Sequence, residues 1–243
     1  MLSIVAVVIN NLEVNQRFVS SIRQYTRGKY ELILIDNGST DNASVKFFED
    51  NADKYYRFDK IVSLSKAWNK GIELSKGQYI AVVNNDVVVP PNWFEPLKQT
   101  LDKNKTAGLV APITLWFLQG YDTSNDRNKA VNRIDKHFEK PLKLRRFKDV
   151  LWGEFMVFKR KALKDVDGFS ELYERASGED LEMSFQLYSK GYDIYVDPRV
   201  FVYHEGRASQ KPDIISNKDR DKYWKRNWLL FLSRWPKYTK GWK

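Results

Sequence analysis

Glu179 and Asp180 stand side by side in GEDLEMSFQL, and Asp86 closes the polar trio Asn84-Asn85-Asp86 after the apolar run YIAVV. Carboxylates so placed can take a proton, hold a cation or cap a helix, and residue type alone leaves those uses open. The chain has no cysteine and two histidines, His137 and His204. Thiolate chemistry and disulfides are excluded, an intracellular setting is favoured, and a structural zinc site lacks ligands. The chemistry of this chain therefore rests on carboxylates, amides and an imidazole or two.

These residues need a frame, and the hydrophobic pattern supplies one. LSIVAVVI (2–9) is a continuous apolar run, the mark of a strand buried on both faces. A helical stripe follows through Val14, Phe18, Ile22 and Tyr25. YELILID reads as a second strand, KYYRF as a short third, SKAWNKGIELS as a helix and YIAVV as a further strand. NWFEPLKQTLDKN reads as a helix with Pro96 early in it. This alternation predicts an α/β fold with a mainly parallel sheet covered by helices. Residues 119–148 read as a mobile loop or lid, and VLWGEFMVFKR as a strand. GEDLEMSFQLYSKGY reads as a helix entered at Gly178 and stopped at Gly191, and YDIYVDPRVFVYHEG as two strands split at Asp197-Pro198.

Ligands of open α/β sheets bind beyond the carboxyl ends of parallel strands. Asn10 and Asn11 end the first strand, Asp36 the second, and Asn84, Asn85 and Asp86 a later one. Three strands thus deliver polar groups to one edge. Each alone is ordinary turn or cap chemistry, Asp41 and Ser39 included. Their coincidence on one edge is what points to a site.

The ordered series VAVVIN, LILIDNGSTD, AWNKGI, YIAVVNND, WGEFMVFKRKAL, GEDLEMSFQL and VYHEG resembles the family-2 inverting glycosyltransferases of the GT-A fold, over about residues 2 to 209. The resemblance implies a Rossmann-like sheet with a smaller acceptor-side subregion. It also implies a nucleotide-diphosphate sugar donor and a saccharide or lipid-linked acceptor, as in bacterial cell-surface polysaccharide synthesis. By it, Asp36 accepts a hydrogen bond from the nucleotide base and backbone near Asn10 helps hold that base. Lys66 and Asn69 face the phosphates. The family's metal motif is Asp-x-Asp, and here Asn84 takes its first position while Asp86 keeps the last. Asp86 and His204 would hold Mn²⁺ or Mg²⁺, because substrate phosphates and water can complete such a shell. Asn84 and Asn85 remain to face ribose or phosphate oxygens. Asp180 is implied as general base, with Glu179 orienting the site. Trp152 would wall a sugar ring, Gly153 would let sugar approach the backbone, and Glu154 would bind a sugar hydroxyl. A second departure from the family is Asn11-Leu12, where Tyr or Thr is common.

The division expected is a transferase domain over 1–215, with a nucleotide-binding part to about 112 and an acceptor-side part over 113–215. A basic tail follows over 216–243. The net charge is +10, and residues 217–243 hold nine Lys or Arg against two Asp, with four of the eight Trp. DKYWKRNWLLFLSRWP reads as a helix that packs on the domain or on lipid, with Trp224, Trp228 and Trp235 suited to a membrane interface. No apolar run reaches the roughly 20 residues that cross a bilayer, and MLSIVAVVI reads as a strand and not as a leader. The expected location is cytoplasmic, with a peripheral seat at the inner membrane face open. The rival is a basic nucleic-acid- or membrane-binding protein on an inactive fold; nucleic acid is not expected as a partner. A nucleotidyltransferase is disfavoured because no Gly-rich phosphate loop follows the first strand.

Overall fold

The computed structural model describes residues 1–114, 140–206 and 217–241, without the side chains of 217, 218 and 220. Its frame is an eight-stranded sheet between two helical layers. In chain order the elements are β1 (Leu2–Val8), α1 (Leu12–Tyr25), β2 (Tyr30–Asp36), α2 (Asn42–Asn51), β3 (Lys54–Arg57), α3 (Leu64–Leu74), β4 (Tyr79–Asn84) and β5 (Val87–Val88). There follow α4 (Phe94–Lys103), β6 (Ala107–Ile113), β7 (Leu142–Lys143), β8 (Phe155–Lys159) and α5 (Arg160–Asp165). The chain continues through α6 (Glu179–Ser189), β9 (Asp193–Phe201), β10 (Tyr203–His204) and α7 (Asn217–Arg234).

The strand order is β3-β2-β1-β4-β8-β6-β9-β7, with β5 and β10 forming a separate ribbon. Strands β3, β2, β1 and β4 are mutually parallel, and β8 is inserted antiparallel between β4 and β6. The sheet is therefore mixed, with its parallel half built from the first part of the chain.

Alternation along the strands explains the two layers. Ile4, Ala6 and Val8 join Leu32, Leu34, Ala81 and Val83 under Phe18 and Ile22 of α1, Phe48 of α2 and Leu97 and Leu101 of α4. Val5, Ile33, Ile35, Ile80 and Val82 face the other way, under Trp68 of α3, Leu163 of α5, Phe185 of α6 and Phe231 of α7. With both faces covered, the strands read as unbroken apolar runs.

Several expectations change. The strand expected over 150–160 is confined to β8, and residues 150–154 form a connection instead. Asp197-Pro198 does not split a strand: β9 runs through it, with a register shift against β6 between Pro112 and Ile113 that absorbs the proline. Of the loop read over 119–148, residues 119–139, with His137, lie outside the described residues. Leu142 and Lys143 pair with β9 as β7.

The tail forms the expected helix, and its apolar side is on the domain. Phe231 is fully buried, and the Trp235 ring packs edge-on against Phe185 at 5.5 Å. Arg234 Nε and Trp235 Nε1 donate to the buried Glu182 carboxylate at 2.8 and 2.6 Å, as does Tyr173 OH at 2.9 Å. Trp235 is thus fixed to α6, and its reading as a membrane anchor gives way to packing. Among the described residues, no helix is long and apolar enough to cross a membrane.

Candidate active site

The parallel registry brings three strand ends together: Val8 lies beside Asp36, and Val7 beside Asn84. Asn10 and Asn11 turn there with positive φ, 39° and 55°, a region asparagine tolerates better than most residues. Asn10 Oδ1 accepts from Thr40 N and Asp41 N at 2.8 and 3.0 Å, and its own N–H donates to Ser39 Oγ. Asp36 is fully buried, and accepts from Ser39 N at 2.8 Å and Tyr55 OH at 3.0 Å, with Arg57 Nε 3.5 Å away. Both residues build the 37–41 loop. Both Asp36 oxygens thus already accept a hydrogen bond from within the fold, and the carboxylate braces the 37–41 loop from behind. Tyr55 and Arg57, on the short β3, are partners that the sequence pattern did not single out.

Asn85 is also bonded within the fold. Its amide donates to Asn15 Oδ1 at 2.9 Å, and Asn15 in turn donates to the carbonyls of Asn10 and Asn11. Asn85 therefore ties the β4 turn to the β1 turn. Asn69 is likewise bonded within the fold. Its amide both donates to Phe169 O and accepts from Phe169 N, each at 2.8 Å, and also donates to Glu171. It clasps the 168–171 turn. Lys66 stands exposed in the first turn of α3, where Ser63 caps the helix.

The β5–β10 ribbon places His204 opposite Val87, next to Asp86, and Glu205 N donates to Asp86 O at 3.0 Å. His204 Nε2 lies 3.0 Å from Asp86 Oδ1, and Nδ1 lies 3.6 Å from Glu154 Oε2. Both ring nitrogens are buried without an aligned hydrogen bond. Burial opposes an imidazolium, but Asp86 and Glu154 outweigh it and hold His204 above its usual value. Glu154 also accepts from Thr114 Oγ1, and burial raises its carboxyl. Among the described residues, no group of three or more acidic, His or Cys side chains forms a closed metal cage. A buried imidazole 3.0 Å from the Asp86 carboxylate nevertheless fits an open site, in which a diphosphate would supply further oxygen ligands.

A cavity of about 220 Å³ opens at this edge. It is lined by the predicted Asn84, Trp152, Gly153, Glu154, Glu179 and Asp180, and also by Leu64, Trp68, Ser177, Trp224 and Trp228. Asp180 Oδ2 accepts from Gly153 N at 2.9 Å and Oδ1 from Leu181 N at 2.8 Å. A Cβ at Gly153 would meet Trp68 at 3.2 Å and Asp180 Cβ at 3.3 Å. The glycine thus lets the 150–154 connection close on the carboxylate, a reason for it that the sequence did not disclose.

Glu179 and Asp180 are both buried, and desolvation pushes both carboxyls up. For Glu179 the Asp180 charge adds to the rise, while N–H groups from Leu181 and Gly153 temper it for Asp180. Glu179 Oε2 is buried without a hydrogen-bond partner. Because folding raises the Glu179 pKa, its contribution to stability is complete below the ordinary carboxylate range and is lost as pH rises through the folded value. Glu179→Gln is therefore expected to melt above the wild type at about pH 8 and to lose most of that advantage near pH 5. Thermal melts at the two pH values check it.

The pair is presented by a strained loop. Arg175, Ser177 and Gly178 have φ of 60°, 89° and 96°, and a Cβ at Gly178 would meet the Tyr173 ring at 2.8 Å. Asn227 of α7, fully buried, holds this loop. Its Nδ2 donates to Glu174 O, Ala176 O and Ser177 O, and its Oδ1 accepts from Glu174 N. The available signal was a polar residue inside the stripe Trp224, Trp228, Phe231 and Trp235 of a predicted helix.

Comparison with known proteins bears on the family and the fold. The Glycosyl transferase family 2 profile matches residues 3–167, and a Glycosyltransferase (GlcNAc) profile matches 135–236. A poly-beta-1,6-N-acetyl-D-glucosamine synthase of Staphylococcus epidermidis is 24% identical over 205 residues, 80% of this chain and 47% of that protein. The chain spans between 29% and 47% of the length of the first curated relatives it matches. The fold is similar to that of GalNAc-T7 solved with UDP, GalNAc and Mn²⁺, with TM-score 0.68 and 18% identity over 84% of this chain and 43% of that one. It is also similar to a mannosyltransferase from Pyrobaculum calidifontis in complex with GDP-Man and Mn²⁺, with TM-score 0.60 and 16% identity over 84% of this chain and 56% of that one. With the GT-A architecture and a family profile over more than half its length, the chain belongs to glycosyl transferase family 2.

Proposed function

We propose that the chain transfers a sugar from a nucleoside-diphosphate sugar to a hydroxyl of a saccharide or lipid-linked acceptor, in one displacement that inverts the anomeric carbon. The observation that carries this reading is Asp180. It is a buried carboxylate with raised proton affinity, held from behind by two N–H groups, on a cavity that also reaches Asn84 at the strand edge.

An acceptor hydroxyl is too weak an acid to ionise beforehand, so its proton must leave as the new bond forms. The acceptor oxygen attacks the anomeric carbon from the face opposite the diphosphate. Its proton passes to Asp180, and the electrons of the breaking C–O bond leave with the diphosphate. Glu179, whose carboxyl is pushed up by burial and by the Asp180 charge, orients the acceptor. Asn84 donates to a ribose or phosphate oxygen, and Lys66 offsets phosphate charge. Trp152 and Gly153 wall the sugar, and Glu154 binds one of its hydroxyls. A Mn²⁺ or Mg²⁺ held by Asp86 and His204 would supply positive charge at the leaving diphosphate.

In this reading residues to about 112 serve the nucleotide, 113–215 serve the acceptor, and 216–243 buttress the site. Similarity to a poly-N-acetylglucosamine synthase supports a role in making a polysaccharide; we assign that polysaccharide to the cell surface and the enzyme to the cytoplasm or the inner face of the membrane. Incubation with UDP-, GDP- and dTDP-sugars and Mn²⁺, followed by nucleoside-diphosphate release and NMR of the product, tests it. Cleavage of one donor with an inverted product is expected. Retention would overturn the single displacement, and no cleavage of any donor would overturn the transfer reading. Asp86→Asn is expected to abolish the metal-dependent part of nucleoside-diphosphate binding. An unchanged metal response in that variant would place the ion elsewhere.

A further inference from the structure

Trp224 and Trp228 sit one turn apart on α7 with parallel rings, 6.0 Å between centroids and 8° between planes. Trp224 is 53% exposed and Trp152 is 54% exposed, yet both line the cavity that contains Asp180. Large aromatic surfaces left in water beside buried carboxylates are unlike core packing, where such rings are covered. We propose that Trp224 and Trp228, across the cavity that Trp152 also lines, form an aromatic subsite that takes a pyranose ring of the acceptor.

The chemistry matches on both sides. A pyranose has an apolar C–H face, which an indole can cover, and a rim of hydroxyls, which need polar partners. The cavity offers that combination: indole rings, the buried Glu179 and Asp180 carboxylates, and the polar Ser177 of the strained loop. Pockets of this make-up, aromatic with a few convergent polar groups, select ligands that are amphipathic in the same way.

A lipid surface fits the same rings less well. The indoles line a cavity that ends on carboxylates, which an acyl chain would desolvate without compensation. Arg226, next to them on α7, is 3.2 Å from Glu174, so its charge is already engaged within the fold. Acceptor recognition thereby enters through the tail helix, whose Asn227 holds the loop bearing Glu179 and Asp180. One helix carries both the aromatic floor and the anchor of the carboxylate pair.

The inference rests on the transferase reading for the identity of the ring as acceptor, and the experiment separates the two. The probes are methyl glycosides of glucose, galactose, N-acetylglucosamine, mannose and rhamnose, followed by saturation-transfer NMR with UDP or GDP and Mn²⁺ present. The proteins are the wild type, Trp224→Ala and Trp224→Phe, with thermal melts as the folding control. At least one glycoside is expected to bind, to weaken about tenfold in Trp224→Ala, as loss of one aromatic contact implies, and to recover in Trp224→Phe. Equal binding by wild type and Trp224→Ala overturns the subsite. So does the absence of binding by every glycoside, whether or not phosphatidylglycerol vesicles capture the protein. Trp224-dependent glycoside binding without binding of any nucleotide keeps the subsite and overturns the donor reading.

Discussion

Asp180→Asn is expected to lower turnover by about 10²–10⁴-fold, the ordinary contribution of a positioned general base, while nucleoside-diphosphate affinity stays close to that of the wild type. The side chains are nearly the same size, so the cavity keeps its shape. What changes is proton affinity, which an amide lacks. Asp180 accepts from both Gly153 and Leu181, and an asparagine can satisfy only one of them with its single oxygen. Some loosening of the helix start follows, on the order of 1–3 kcal/mol for one unpaired buried donor. Melting curves run beside the kinetics separate that loss from the chemical one. The pH profile is a second readout. With the carboxyl pushed up by burial, wild-type turnover is expected to fall on the acid side at a pH above the ordinary carboxylate range. That limb belongs to the Glu179–Asp180 pair and not to one member. Near-wild-type turnover in Asp180→Asn would remove it as the base.

Asn227→Ala is expected to destabilise the fold by about 3 kcal/mol, the upper end for a buried polar group left unpaired, because four backbone partners lose it together. The loop it holds carries three residues with positive φ, a conformation that persists only when its surroundings enforce it. Released, that loop shifts Gly178 and the carboxylates behind it. Displacement of a catalytic group by about 1 Å can cost on the order of 10²-fold in rate, so kcat is expected to fall well beyond the loss of folded protein. Nucleotide affinity, which the proposed function assigns to the strand ends, is expected to hold. Denaturant unfolding and the split between kcat and donor KM check this. A variant with unchanged melting and unchanged kcat would show that the loop keeps its shape without α7.

These two residues also show what the sequence could and could not disclose. Asp180 was legible because an acidic pair opens an amphipathic run behind a glycine, and because the blocks around it fall in family order. Asn227 belongs to no such block; its role depends on α7 folding back over the 174–178 loop, a contact between segments some fifty positions apart. The strand runs of the first half were legible because burial on both faces makes them continuously apolar. The 150–154 connection misread as strand because Val150 and Leu151 are apolar for packing into the core, and Trp152 for lining the cavity. Asn69, Asn85 and Asp36 show one limit in common: periodicity does not say whether an amide or carboxylate turns towards solvent or towards the fold's own groups. All three turn inward.

The Asp86–His204 corner was legible only through resemblance, since a two-residue ribbon brings it together. The central claim is that this edge of the sheet holds a nucleoside diphosphate with the help of a divalent ion. Calorimetric titration of the purified chain with UDP, GDP and dTDP, each with and without Mn²⁺, tests it most directly. One of the three is predicted to bind in a metal-dependent manner. Failure of all three to bind under either condition would contradict the account.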